Sequence, residues 1–87
     1  VLITTGRRLR EGWPEGADSV AVMLDSGGAF KALDPEGVTI WWGACLGMAQ
    51  EALIAGPLAE VSERILSTRA AIRARHGWVM DIYLLRR

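Results

Sequence analysis

Apolar residues in this chain come in blocks, separated by glycine, proline and acidic turn residues. Ser19 to Leu24 reads Ser-Val-Ala-Val-Met-Leu, a β-branched and apolar run that predicts a strand over 19–24. Asp25-Ser26-Gly27-Gly28 then supplies a turn able to take positive φ, and a return strand follows over 29–33, where Phe30 alternates with Lys31. Asp34-Pro35-Glu36 has the form of a helix start, with Asp34 as the cap and Pro35 at the first helical position. A helix over 35–55 is expected from it, closed by Gly56 and Pro57. A second helix, 57–76, carries Leu58, Val61, Ile65 and Ile72 at helical spacing and ends at Gly77. Trp78 to Leu85, rich in aromatic and β-branched residues, predicts a strand over 78–85. Residues 2–11 suggest a short helix capped by Thr4 or Thr5, with Leu2, Ile3 and Leu9 as its apolar contacts. The pattern thus predicts an α+β fold in one domain over 1–87. Three antiparallel strands (19–24, 29–33, 78–85) would pack on two helices (35–55, 57–76), with the weak N-terminal helix beside them.

The expected helix 35–55 is apolar all round. Trp41, Ala44, Cys45, Met48 and Ala52 lie along one side, and Trp42, Leu46, Ala49 and Leu53 along another. Such a helix needs cover on more than one face. Either the fold supplies it, or one side, carrying Trp42, meets a second subunit or a target. Gly43 and Gly47, four apart, would let another backbone approach. Close packing within the chain and a symmetric helix pair across a dimer axis both satisfy this spacing. Trp41, Trp42, Gly43, Leu46 and Gly47 are the interface candidates.

A chain of 87 residues hides a modest fraction of its surface, so a homodimer is an expected way to add burial. The ten basic and ten acidic residues cancel, which removes any whole-molecule attraction to nucleic acid or an anionic membrane. Local clustering is the remaining route. Arg64, Arg69, Arg73 and Arg75 sit in an acid-free run, and they read either as solvated flanks of a buried helix face or as a surface that contacts phosphate or an acidic partner. One cysteine, Cys45, excludes an intrachain disulfide, and with His76 the lone histidine a zinc site of the usual kind lacks ligands. No cofactor or metal is expected. A trio of Cys45, His76 and Asp81 can be written down, but Cys45 among apolar neighbours reads as core and His76 as a helix C-terminal cap. No catalytic residue, and no enzyme activity, is expected. Arg7, Arg8 and Arg10 interrupt any secretory leader, and the apolar stretch Val38 to Ala49 falls short of the ~20 residues that span a bilayer, so the chain reads as cytoplasmic with no membrane partner.

Gly12-Trp13, Gly16-Ala17, Asp25-Ser26-Gly27-Gly28 and Asp34-Pro35 ahead of a tryptophan-rich segment resemble, over residues 12–50, a family of small uncharacterised bacterial and phage proteins. That family has Trp-Cys where Trp41-Trp42 stands here, with Cys45 later. The resemblance implies a small accessory protein of bacteria or mobile elements and transfers no catalytic residue. The expected function is a non-catalytic protein-binding inhibitor of anti-CRISPR-like or antitoxin-like type, acting on a protein partner. The alternative is a small nucleic-acid-binding protein using the arginine-rich helix 64–75.

Overall fold

The computed structural model describes residues 2–13, 16, 18–23, 29–49 and 51–87, with Arg7 described by its backbone alone. Its elements are β1 (Leu2–Thr5), α1 (Gly6–Leu9), β2 (Ser19–Met23), a 3-10 turn (Ala29–Ala32), β3 (Thr39–Ala44), β4 (Ala52–Pro57), α2 (Leu58–His76) and β5 (Asp81–Arg86). The strands form one mixed sheet in the order β1-β2-β5-β3-β4. β1 runs parallel to β2, with α1 in the crossover, and every other neighbour is antiparallel.

This architecture overturns the expected three strands on two helices: one long helix packs on five strands. The largest correction concerns 35–55. Its β-branched and aromatic stretch Val38-Thr39-Ile40-Trp41-Trp42 favours extended backbone. Burial there has period two: Ile40 is buried, Trp41 exposed and Trp42 buried. Gly43 and Gly47 would each have cost a helix about 1 kcal/mol. The chain instead turns back through Cys45 (φ 53) and Gly47 (φ 79), and pairs Trp42 with Ile54 and Ala44 with Ala52. Asp34 uses its cap chemistry differently: its Oδ1 accepts from the Glu36 amide at 3.1 Å. Gly37 (φ 75) then closes a turn in which Val38 N–H donates to the Pro35 carbonyl at 3.2 Å. An aspartate that accepts from the amide two residues on serves a turn as readily as a helix start.

Two further expectations are corrected. The return strand 29–33 is the 3-10 turn Ala29–Ala32, with Ala29 and Phe30 buried; five residues are too few for alternation to separate the two conformations. The intended hairpin turn, 25–28, lies outside the described residues, and the partner of β2 is β5, reached across the whole chain. The N-terminal helix is instead strand β1 followed by the single turn α1, whose cap is Thr5, its hydroxyl accepting from the Arg8 amide at 3.4 Å.

α2 occupies Leu58–His76, and Gly77 (φ 80) ends it, its amide donating to the Arg73 carbonyl at 2.8 Å. β4 passes straight into this helix at Pro57, and Leu58 N–H donates to the Val38 carbonyl at 2.8 Å. One face of the sheet, with Val20, Val22, Ile40, Trp42, Tyr83 and Leu85, is buried under Leu58, Val61, Ile65 and Ile72 of α2, Leu9 of α1 and Phe30. Phe30 meets Tyr83 edge to face, ring centroids 5.3 Å apart at 89°. Arg87 is held to Trp13 and Asp18: its N–H donates to the Asp18 carbonyl at 3.1 Å and its guanidinium lies 4.6 Å from the Trp13 ring centre. No helix among the described residues is long and apolar enough to cross a membrane.

Candidate functional site

Because the helical segments among the described residues pack on one face of the sheet, the registers assign the alternate residues to the opposite face. Trp41 stands between Ala55 of β4 and Leu84 of β5, and Gly43 between Leu53 and Ile82. These residues and Leu46, from the β3–β4 turn, line a groove of about 490 Å³. Trp41 is 44% exposed, Leu46 53%, Leu53 69% and Ile82 37%. Soluble domains seldom leave so many large apolar side chains together in water, so this face is the candidate functional surface. Gly43 shapes it. A Cβ at that position would lie 2.9 Å from Leu46 Cδ2 and 3.2 Å from Leu53 Cδ2, so both side chains lean over bare backbone.

The interface candidates divide across the sheet. Trp41 and Leu46 are on the open groove, with Gly43 beneath them. Gly47 is an exposed turn residue with nothing near its missing side chain. Trp42, expected to meet a partner, is 2% exposed and points into the core. On a strand, neighbours point to opposite faces, so Trp41 and Trp42 cannot share a surface. The sequence reading passed over Ala55 and Leu84 of the groove; their runs are apolar at nearly every position, and the alternation of burial along Ala52–Pro57 and Asp81–Arg86 exists only in the folded sheet.

Arg64, Arg73 and Arg75 are exposed along α2, but Arg69 is not. Its Nε donates to Asp81 Oδ2 at 3.2 Å, and the Trp42 indole N–H donates to the same oxygen at 2.8 Å. The side chains of Arg69 and Asp81 are 12% and 5% exposed. This cluster ties α2 to β5 and β3, which takes Arg69 out of any common phosphate surface with the other three. Asp81 is likewise occupied, Cys45 is buried and His76 is exposed at the end of α2.

No family model matches the chain. The chain is 54% identical, over all 87 residues, to a Sinorhizobium protein named precorrin-6A synthase [deacetylating], of which it covers 33%. It is also similar to the crystal structure of a cobalamin synthesis related protein, CobF, from Corynebacterium diphtheriae: 39% identity, a TM-score of 0.90, and coverage of 98% of this chain and 36% of that one. The chain therefore spans about a third of the length of the relatives it matches. These similarities overturn the resemblance to small bacterial and phage proteins, which rested on turn residues and a slipped Trp-Cys match. They equally replace the anti-CRISPR-like or antitoxin-like inhibitor, the nucleic-acid-binding alternative and the expectation of no enzyme activity, because the matched protein is named as a synthase and the match runs the full length of this chain.

Proposed function

We propose that the chain forms one part of a precorrin-6A synthase, the deacetylating activity for which its Sinorhizobium relative is named. The observation that carries this reading is the 54% identity maintained across all 87 residues, supported by a fold that superposes on CobF with a TM-score of 0.90. Identity at that level over the whole of this chain supports a common fold and the same role in a larger molecule. Residues 1–87 act in it as one domain, in the cytoplasm. Its first protein partner is the remainder of such a polypeptide, and a homodimer is a second, to be checked by light scattering across a dilution series.

The test replaces the matching third of the Sinorhizobium protein with this chain and follows formation of precorrin-6A. A chimera that makes the product supports the reading. A chimera that folds, by circular dichroism and a cooperative melt, yet makes no product overturns it.

A further inference from the structure

From the open face of the sheet we infer that the groove around Gly43 is the seat of a convex apolar element from the rest of a synthase-length polypeptide, so that β3, β4 and β5 form a permanent internal interface. The inference rests on the proposed function only in taking the relatives' length as that of the working molecule.

Three observations lead there. First, the described residues that line the groove carry no charged side chain. Interface cores are depleted of charge and permanent interfaces are the more apolar ones, and this lining has no charged group to hold a polar ligand. Second, the surface is concave, walled by Trp41, Leu46, Leu53 and Ile82. A two-fold pairing sets the same patch against itself, and two facing grooves enclose a void whose lining loses its dispersion contacts. A protruding helix or loop from a different segment fills such a groove. Third, the relatives continue for about two thirds of their length beyond the part matched here. A covalently attached segment acts at an effective concentration of roughly millimolar, which favours it over any free partner.

The experiment uses thiol probes on the groove and on the helix. Leu53→Cys and Leu46→Cys, with Arg73→Cys on exposed α2, are made in the 87-residue chain and in the chimera described above, and alkylation at each site is followed by mass spectrometry. Both groove sites are expected to react readily in the short chain and about tenfold or more slowly in the chimera, as a site reached only when an interface opens. The inference is overturned if the groove sites react equally fast in both proteins, if Arg73→Cys alone becomes protected, or if the groove sites are already protected in a short chain that light scattering shows to be a dimer. An inactive chimera with protected groove sites counts against the proposed function alone, and an active chimera with unprotected sites against this inference alone.

Discussion

Asp81 Oδ2 receives the Arg69 Nε–H at 3.2 Å and the Trp42 indole N–H at 2.8 Å, so one carboxylate oxygen joins the long helix to the two central strands. Breaking a buried ion pair from one side leaves the other charge without compensation and costs about 3–5 kcal/mol. Asp81→Ala should therefore lower stability by about that much, whereas Asp81→Asn, which keeps an acceptor for the indole, should lose less. Urea unfolding of the two variants checks the order. Equal losses would assign the whole cost to the missing charge, which both variants lack, and none to packing or the indole hydrogen bond.

The two adjacent tryptophans make opposite predictions. Trp42 is 2% exposed, and its truncation to alanine should cost about 3–5 kcal/mol, enough to unfold a marginal domain. Trp42→Glu should not fold at all. Trp41, 44% exposed, should accept Glu with a change of about 0.5 kcal/mol or less in stability. Thermal melts followed by circular dichroism distinguish them, and a folded Trp42→Glu protein would contradict the placement of β3.

Two glycines in the β3–β4 hairpin should respond differently to alanine. At Gly43 the new Cβ meets the Cδ2 atoms of Leu46 and Leu53, ends of exposed and flexible side chains that can move, so the change should stay within about 1 kcal/mol. At Gly56 the backbone has φ 151 and the Cβ would lie 3.1 Å from Val61 Cγ1 in the core. A non-glycine residue held in such backbone costs about 1–3 kcal/mol before the crowding is counted, so Gly56→Ala should be the more damaging. A shared denaturation midpoint for the two variants would be inconsistent with this geometry.

Cys45 is 3% exposed, in the turn after β3, where its amide donates to the Met80 carbonyl at 2.8 Å. A buried thiol reacts only when the structure opens. Alkylation of the native chain is expected to be slow and to accelerate in denaturant. Fast labelling under native conditions would show a turn more open than the one described.

Part of this was legible locally. The 3.6-residue spacing of Leu58, Val61, Ile65 and Ile72 marks α2, and Gly77, free of the Cβ that disfavours left-handed backbone, marks its end. The run Val20-Ala21-Val22 and the run Ile82-Tyr83-Leu84-Leu85 both lie in strands. The segment 35–55 misled because Asp34-Pro35 fits a turn as well as a helix start, and because a stretch apolar at nearly every position satisfies both periods. Gly43 and Gly47, read as a helix contact edge, were in fact the floor of a strand groove and the corner of a hairpin.

By itself the sequence determined the long helix and its glycine stop, strands read at 19–24 and 78–85 and found at Ser19–Met23 and Asp81–Arg86, and a surplus of apolar side chains, since each of these depends on residues near one another in the chain. Tertiary structure alone decided that β5 lies between β2 and β3, that Trp42 is core while Trp41 faces outward, and that Arg69 turns inward to Asp81. Those outcomes depend on which distant strand supplies hydrogen bonds and which face the helix covers, and no local propensity contains that choice.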